Sequence, residues 1–399
     1  MIAWECEGVP CESTKQIAGY CPAHPVLWQG TDGAIPSNPY PINSREGVSS
    51  VQTNGPDGKG TMIWSDQSRE IHPAVREGVG RLLYACEAVR VVRLIEENGV
   101  AVVLYKGAAL AEMAYGGSEN RRSGDIDLLV GAEDFRAVEQ VLESEGYRRR
   151  MPLPAWMLRK SRWGAPTLPY EMHYRNERTG AEVDLHTSLL PKDLGATLDE
   201  PALWRRLEEV EICGRLVRTL GAIDTLLFLA LHGTKHQWES EGYVRDFGAF
   251  ARARVKPEQW QVAMAEAAAR GCRDMLLVAV RIAEGRLGFV FPAEASRAAR
   301  RSPRVSKIAA WYGLRAGTDA CSSSSKAGIL LVRWRMWDTL PQRTGWLLRL
   351  AIVPNVRDFE WIQLPGPLGS FYYLLRPVRL AWQWLLRPVV ARVKNSRRD

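Results

Sequence analysis

Apolar residues first settle into a regular pattern near Pro73. Before it, residues 1–61 are rich in Gly, Pro, Ser and Asn, as in Gly33-Ala-Ile-Pro-Ser-Asn-Pro-Tyr-Pro, with no sustained helical or strand period. Such a stretch offers too little apolar surface to offset the entropy of ordering it, and is expected to be a mostly disordered extension. In the segment 62–99, Val75, Val79, Leu82, Leu83, Cys86 and Val89 recur at helical spacing up to Asn98-Gly99. This pattern predicts one long amphipathic helix. Val100-Ala-Val-Val-Leu-Tyr105 is a short β-branched run and predicts a buried strand, ended by Lys106-Gly107. Ala108 to about Tyr115 reads as a short helix closed by Gly116-Gly117, and Ser118 to Ser123 as a polar loop. Asp125 to Val130 predicts a second strand, and Ala132 to Glu145 a helix that stops at Gly146.

Tyr170 to Tyr174 and Ala181 to His186 are two further strand candidates joined by a turn at Asn176–Gly180. Beyond Pro191 the pattern turns helical, most clearly over Ile223–Trp238 and Trp260–Ala269, while Ser302–Ser325 reads as a loop or linker. The tail repeats Leu374-Leu-Arg-Pro-Val378 as Leu385-Leu-Arg-Pro-Val389, and two copies do not make a repeat protein. The expected architecture is α/β (α+β), with a mixed-sheet domain over residues 100–192. A helical domain over 193–330 and a Trp/Arg-rich C-terminal segment over 331–399 follow it.

A chain of 399 residues exceeds one ordinary domain, so this division suits its length. The net charge is +8, and residues 331–399 alone hold 12 Lys/Arg against 4 Asp/Glu, which favours an anionic partner. Seven cysteines, an odd number without a compact framework, suit a reducing compartment. The N-terminus lacks the order of a signal peptide, and no run reaches the roughly 18 apolar residues of a membrane span. A soluble, cytoplasmic protein is the expectation. Cys6, Cys11, Cys21 and His24 follow no common zinc-finger spacing.

The candidate chemistry centres on Asp125 and Asp127. Alternate residues of a strand share a face, so both carboxylates can reach one ion while Ile126 and Leu128 anchor the opposite face. Paired carboxylates repel unless a cation lies between them, and Mg2+ prefers oxygen ligands. Taken alone, Asp-x-Asp is equally at home on a solvated turn. Three neighbours add weight. Lys106-Gly107-Ala108 stands at a strand-to-helix junction, where glycine lets backbone N–H groups approach phosphate. Arg121-Arg122-Ser123 adds cationic and hydroxyl groups. Glu182-Val-Asp-Leu-His186 supplies Asp184 as a third carboxylate.

These motifs resemble the nucleotidyltransferase superfamily of polymerase-β-like enzymes, and within it an uncharacterised bacterial nucleotidyltransferase family. The likeness runs through Lys106-Gly107, Gly124 to Val130, Asp184-Leu-His186, His232-Gly-Thr-Lys-His236 and Tyr372-Tyr-Leu-Leu-Arg-Pro377, over roughly residues 70–390. The superfamily usually carries Gly-Ser after its first strand, where this chain has Gly107-Ala108. The resemblance implies transfer of a nucleoside monophosphate from an NTP such as ATP to an acceptor, with Mg2+ or Mn2+ held by Asp125, Asp127 and Asp184. It also implies Lys106, Gly107, Arg122, Ser123 and Lys235 as nucleotide-binding residues, and a peptide, protein or small metabolite as acceptor. The alternatives are a non-catalytic nucleotide- or peptide-binding relative and a toxin-like enzyme acting on RNA or protein.

Other residues carry two readings. His232 and His236, four apart, could bind metal or simply pack, and Lys235 could reach a phosphate or stay solvated. His186 could touch substrate, carry a proton or be structural; Glu171 and His173 could line the same cleft; Asp246 reads as structural. For the tryptophans of the tail, among them Trp334, Trp337, Trp346, Trp361, Trp382 and Trp384, core packing stands first, peripheral membrane contact second and nucleic acid last.

Overall fold

The most apolar runs of the chain become short strands that pair into one mixed sheet. The protein, described here from a computed structural model, is defined over residues 73–151, 170–191, 198, 201–313, 326–354 and 356–383. The Gly/Pro-rich extension with Cys6, Cys11, Cys21 and His24, and the second Leu-Leu-Arg-Pro copy with Trp384, lie outside the described residues. Strands β1 (Val102–Leu104), β2 (Ile126–Val130), β3 (Tyr147–Arg149), β4 (Glu171–Asn176) and β5 (Glu182–His186) take the order β1-β2-β5-β4-β3. Only β2 and β5 pair in parallel. Every residue of β1 and β2 is buried, which explains why their sequences lack alternation. β4 does alternate, burying Met172, Tyr174 and Asn176 between Glu171, His173 and Arg175. The brief β3, which no sequence pattern predicts, closes the far edge.

Helix α1 (Pro73–Glu97) is as long as expected and buries Val89 of the expected stripe together with Ala85, Ala88, Val91, Val92 and Ile95; Val79 and Leu83 stay exposed. Its earlier turns are tied down by polar contacts instead. Arg81 donates to the Glu119 carbonyl at 2.8 Å, and the Tyr84 hydroxyl lies 2.8 Å from the Gly124 carbonyl and 2.9 Å from that of Glu182. One tyrosine thus reaches both the loop before β2 and the start of β5. Helices α2 (Gly107–Tyr115) and α3 (Phe135–Ser144) complete this half.

The chain beyond Pro191 is not helical throughout. After α4 (Pro201–Arg205), β6 (Glu208–Ile212) and β7 (Arg215–Thr219) form a separate antiparallel hairpin. Its turn residues Cys213 and Gly214 both have positive φ, 49° and 75°, the left-handed form whose twist suits a two-residue turn. Helices α5 (Ala222–Lys235), α6 (Glu241–Arg254), α7 (Gln259–Ala269), α8 (Arg273–Leu287), α9 (Ala293–Arg301) and α10 (Pro303–Gly313) follow. α8 buries Met275 through Val280 without a break and touches α5, α6, α7, α9 and α10, as a run apolar on every side must. The expected loop from Ser302 is α10 up to Gly313; residues 314–325 lie outside the described set. Ser302-Pro303 is a start signal, with the Ser302 hydroxyl accepting from the Val305 N–H at 3.3 Å and Val305, Ile308 and Tyr312 buried. Helices α11 (Lys326–Met336), α12 (Leu340–Ile352), α13 (Val356–Trp361) and α14 (Tyr372–Ala381) end the described chain. In this tail Trp337 and Trp346 are buried as core packing requires, whereas Trp361 and Trp382 are exposed.

Near the end of α5, Gly233 faces the fully buried Trp238, whose ring would lie 2.5 Å from an added Cβ. Gly233→Ala is therefore expected to lower stability by about 1–3 kcal/mol through overpacking. Urea denaturation measures it, and an unchanged midpoint would contradict this packing.

Candidate active site

Strand register assembles the site. Parallel pairing sets Asp127 directly beside Asp184; antiparallel pairing then sets His173 beside Asp184, and Glu171 beside His186. Because residues two apart share a face, Asp127, Asp184, His186, His173 and Glu171 form one polar patch across three strands. Lys106 enters from the end of β1, where the chain turns into α2. Gly107 takes a φ of 49° there, and an added Cβ would lie 3.1 Å from the Ser123 hydroxyl and 3.3 Å from the Asp125 carbonyl. A side chain at this position would be strained and would press on the loop that carries the aspartates.

Asp127 is 1% exposed and is held by an ion pair with the Lys106 ammonium and by His186 Nε2 at 3.2 Å. Burial opposes its charge, but Lys106 and then His186 outweigh burial and bring the carboxyl well below the usual range. Burial likewise opposes the Lys106 charge, and Asp127 with Asp125 reverses the sign and raises it. Asp125 has no such partner: burial first, then the Asp127 charge, push it up to about 6. His173 Nδ1 lies 2.6 Å from Asp184 Oδ1, and that hydrogen bond raises the imidazole. Its Nε2 lies 3.4 Å from Glu171.

The residues singled out from sequence are not all brought together. Ligand atoms of Asp127, Asp184 and His186 lie within 4.8 Å of one another, as do those of Glu171, His173 and Asp184, so Asp184 belongs to both groups. Asp125 stands just outside these trios, near enough to feel Asp127, Lys106 and Asp184. Ser123 donates its hydroxyl to the Asp125 carbonyl at 3.1 Å. Arg122 is exposed, and it is Arg121 that turns inward, bonding both oxygens of Asp246 at 2.9 and 2.8 Å. The Tyr115 hydroxyl joins the same carboxylate at 2.7 Å. Lys235 reaches the patch, donating to the Tyr170 hydroxyl at 2.7 Å with Glu171 3.7 Å away; burial lowers its pKa. His232 and His236 pack: His232 stacks on Phe228 and His236 on Tyr243, with centroids 5.3 and 5.0 Å apart. Burial pushes His232 well down and His236 to about 4, so both are neutral at pH 7.

Sequence reasoning missed Tyr84, and it named Arg121 without its pairing to Asp246; these partners lie 40 and 125 positions away in the chain. No local pattern signals contacts of that range.

The donor set fits a divalent cation. Carboxylates converge with Lys106 and His186 gathered on Asp127, and the buried His186 Nδ1 has no hydrogen-bond partner among the described residues. A family model described as an uncharacterised nucleotidyltransferase matches residues 75–288. No curated protein matches the chain. Among solved structures, the antibiotic-resistance factor ANT(2'')-Ia in solution shares 15% identity, covering 49% of this chain and 94% of its own, with a TM-score of 0.34. Lincomycin-bound LnuA, a lincosamide antibiotic adenylyltransferase, shares 20% over 41% of this chain and 92% of its own, with a TM-score of 0.30. An antigenic nucleotidyltransferase-like protein from Paracoccidioides brasiliensis shares 16% over 55% and 95%, with a TM-score of 0.27.

A carboxyl raised by folding stabilises the protein below its unfolded pKa, and that contribution disappears as pH rises through the folded value. For Asp125 the window runs from about 4 to about 6. Asp125→Asn is expected to flatten the pH dependence there and to stabilise the metal-free protein at pH 7 by on the order of 1–3 kcal/mol. Thermal melting at several pH values checks this; a variant that melts lower than the parent at pH 7 would refute it.

Proposed function

Because the chain belongs to the uncharacterised nucleotidyltransferase family, we propose that this patch transfers a nucleoside monophosphate from an NTP to an acceptor hydroxyl or phosphate. The observation that carries the reading is the register of Asp127 against Asp184, two buried carboxylates on neighbouring parallel strands. Like charges are kept this close where cations are to be bound. Asp125, Asp127 and Asp184, with His186, are the residues that would hold Mg2+ or Mn2+. When bound, such an ion neutralises the triphosphate and favours attack on phosphorus.

In the exchange a bond forms between the acceptor oxygen and the α-phosphorus, the bond to the bridging oxygen breaks, and pyrophosphate leaves with the electron pair. Asp184, shared by both groups of ligand atoms, faces the acceptor and takes its proton. His173 holds that carboxylate in place through its 2.6 Å hydrogen bond. Lys106, once released from Asp127, turns to the phosphates. The first N–H groups of α2, opened by Gly107, receive phosphate oxygens in place of the missing serine hydroxyl. Arg122, Ser123 and Lys235 complete the triphosphate site, and the acceptor is a peptide, protein or small metabolite.

The test is incubation of the protein with labelled NTPs, Mg2+ or Mn2+ and cell extract, followed by identification of whatever becomes labelled. Asp127→Asn is expected to cut labelling at least about a hundredfold while keeping the circular dichroism of the parent. Wild-type rates in that variant would sink the assignment. An NTP- and metal-dependent rise in melting temperature without labelling would instead identify a binding relative of the same fold.

A further inference from the structure

The last described helix, α14, carries its charge inside and apolar groups outside. α14 turns Tyr372, Arg376 and Arg379 inward, and both guanidinium groups hold Asp358 of α13, at 3.0 and 2.5 Å. All three charged side chains are buried. Arg376 also donates to the Leu350 carbonyl of α12 at 2.9 Å. The outer face is left to Phe371, Leu374, Val378 and Trp382, at the i, i+3, i+7, i+11 spacing of one helical stripe. They are 52%, 65%, 58% and 45% exposed. No charge interrupts this stripe, since the other exposed residues between 371 and 382 are Tyr373, Pro377 and Ala381. Leu348 and Ile352 of α12 are exposed as well, and two thirds of the large apolar side chains exposed among the described residues fall between Leu340 and Trp382. A concentration of this kind marks a surface that meets something apolar.

Charge decides what that is. Residues 331–399 carry 12 Lys/Arg against 4 Asp/Glu, and Arg335, Arg349 and Arg357 on α11, α12 and α13 are exposed. Between residues 331 and 383 the exposed charges are these three arginines against Glu360, and a second copy of the chain would bring the same positive excess and be repelled. An anionic bilayer offers both an apolar layer and negative phosphates, and Trp with Arg around an apolar helical face is the composition of interfacial helices. No described helix is long and apolar enough to cross a membrane, so the contact is with the surface. We propose that the C-terminal helices dock on an anionic lipid surface, with the Phe371–Leu374–Val378–Trp382 stripe of α14 lying in the boundary between headgroups and acyl chains.

Flotation of the full chain with vesicles tests this. Phosphatidylcholine vesicles containing phosphatidylglycerol are expected to carry the protein, pure phosphatidylcholine vesicles are not, and high salt weakens the association. Replacing both Leu374→Glu and Val378→Glu should lower the bound fraction at least about tenfold. Leu216→Glu, at an exposed apolar position on β7, should bind as the parent does. Failure of the parent to float with anionic vesicles, or undiminished binding by the double variant, would overturn the proposal. So would a concentration-dependent dimer that Leu374→Glu dissociates, since a second copy then covers the face. If the double variant melts below the parent, brominated lipid supplies the readout: quenching of fluorescence that is lost in Trp382→Phe supports docking, and equal quenching in both proteins overturns it.

Discussion

A single buried negative charge organises the sheet half of the protein. Asp127, the second residue of β2, has almost no solvent contact, and an uncompensated carboxylate there would cost several kcal/mol. Two segments meet to compensate it. β1 must end, and α2 must begin, where Lys106 can reach it, and β5 must pair in the register that brings His186 alongside. Gly107 is the geometric consequence of the first demand, since the chain turns sharply against Ser123 and Asp125 directly after the lysine. The same lysine balances the charge of Asp127 itself. A cation proposed for Asp127 would have to compete with Lys106 for that carboxylate.

Much of this was legible in the chain, for a specific reason. Asp125, Asp127 and Asp184 sit in runs where the strand period is plain, and a glycine after a β-branched run marks the turn that brings Lys106 near them. What could not be read was anything set by register or long range. That Asp184 faces His173 depends on how β4 and β5 align, and that Arg121 rather than Arg122 turns inward depends on Asp246, on a helix far along the chain. The β6–β7 hairpin escaped because Glu209, Glu211 and Arg218 share its outward positions with an exposed Leu216 and its turn residue Cys213 is not a usual left-handed former. On α1 the helix was evident but its face was not. Alanines 85 and 88, too small to stand out in a hydrophobic pattern, are what lie against the sheet, while larger Val79 and Leu83 do not.

The helical half contributes position more than charge. His232 and His236 are neutral members of an aromatic stack with Phe228 and Tyr243, and this stack fixes the end of α5 that delivers Lys235 to Tyr170. The turn after it is costly: Gln237 and Trp238 both adopt positive φ, 57° and 54°. Arg333 and Arg286 hold it by donating to the carbonyls of Lys235 and Trp238. Strain is thus concentrated next to the one lysine that the helical half sends into the site.

The carboxylate of Asp246 is shared by Arg121 and Tyr115, and α2 lies against α6 along the same seam. This bears on modularity. The sheet half is not a cassette that could be cut out and joined to another helical partner, because a fragment ending before α6 would strand a half-buried guanidinium and expose the apolar side of α2. Heat or denaturant should take both halves apart in one step, because the patch and α6 share this buried seam.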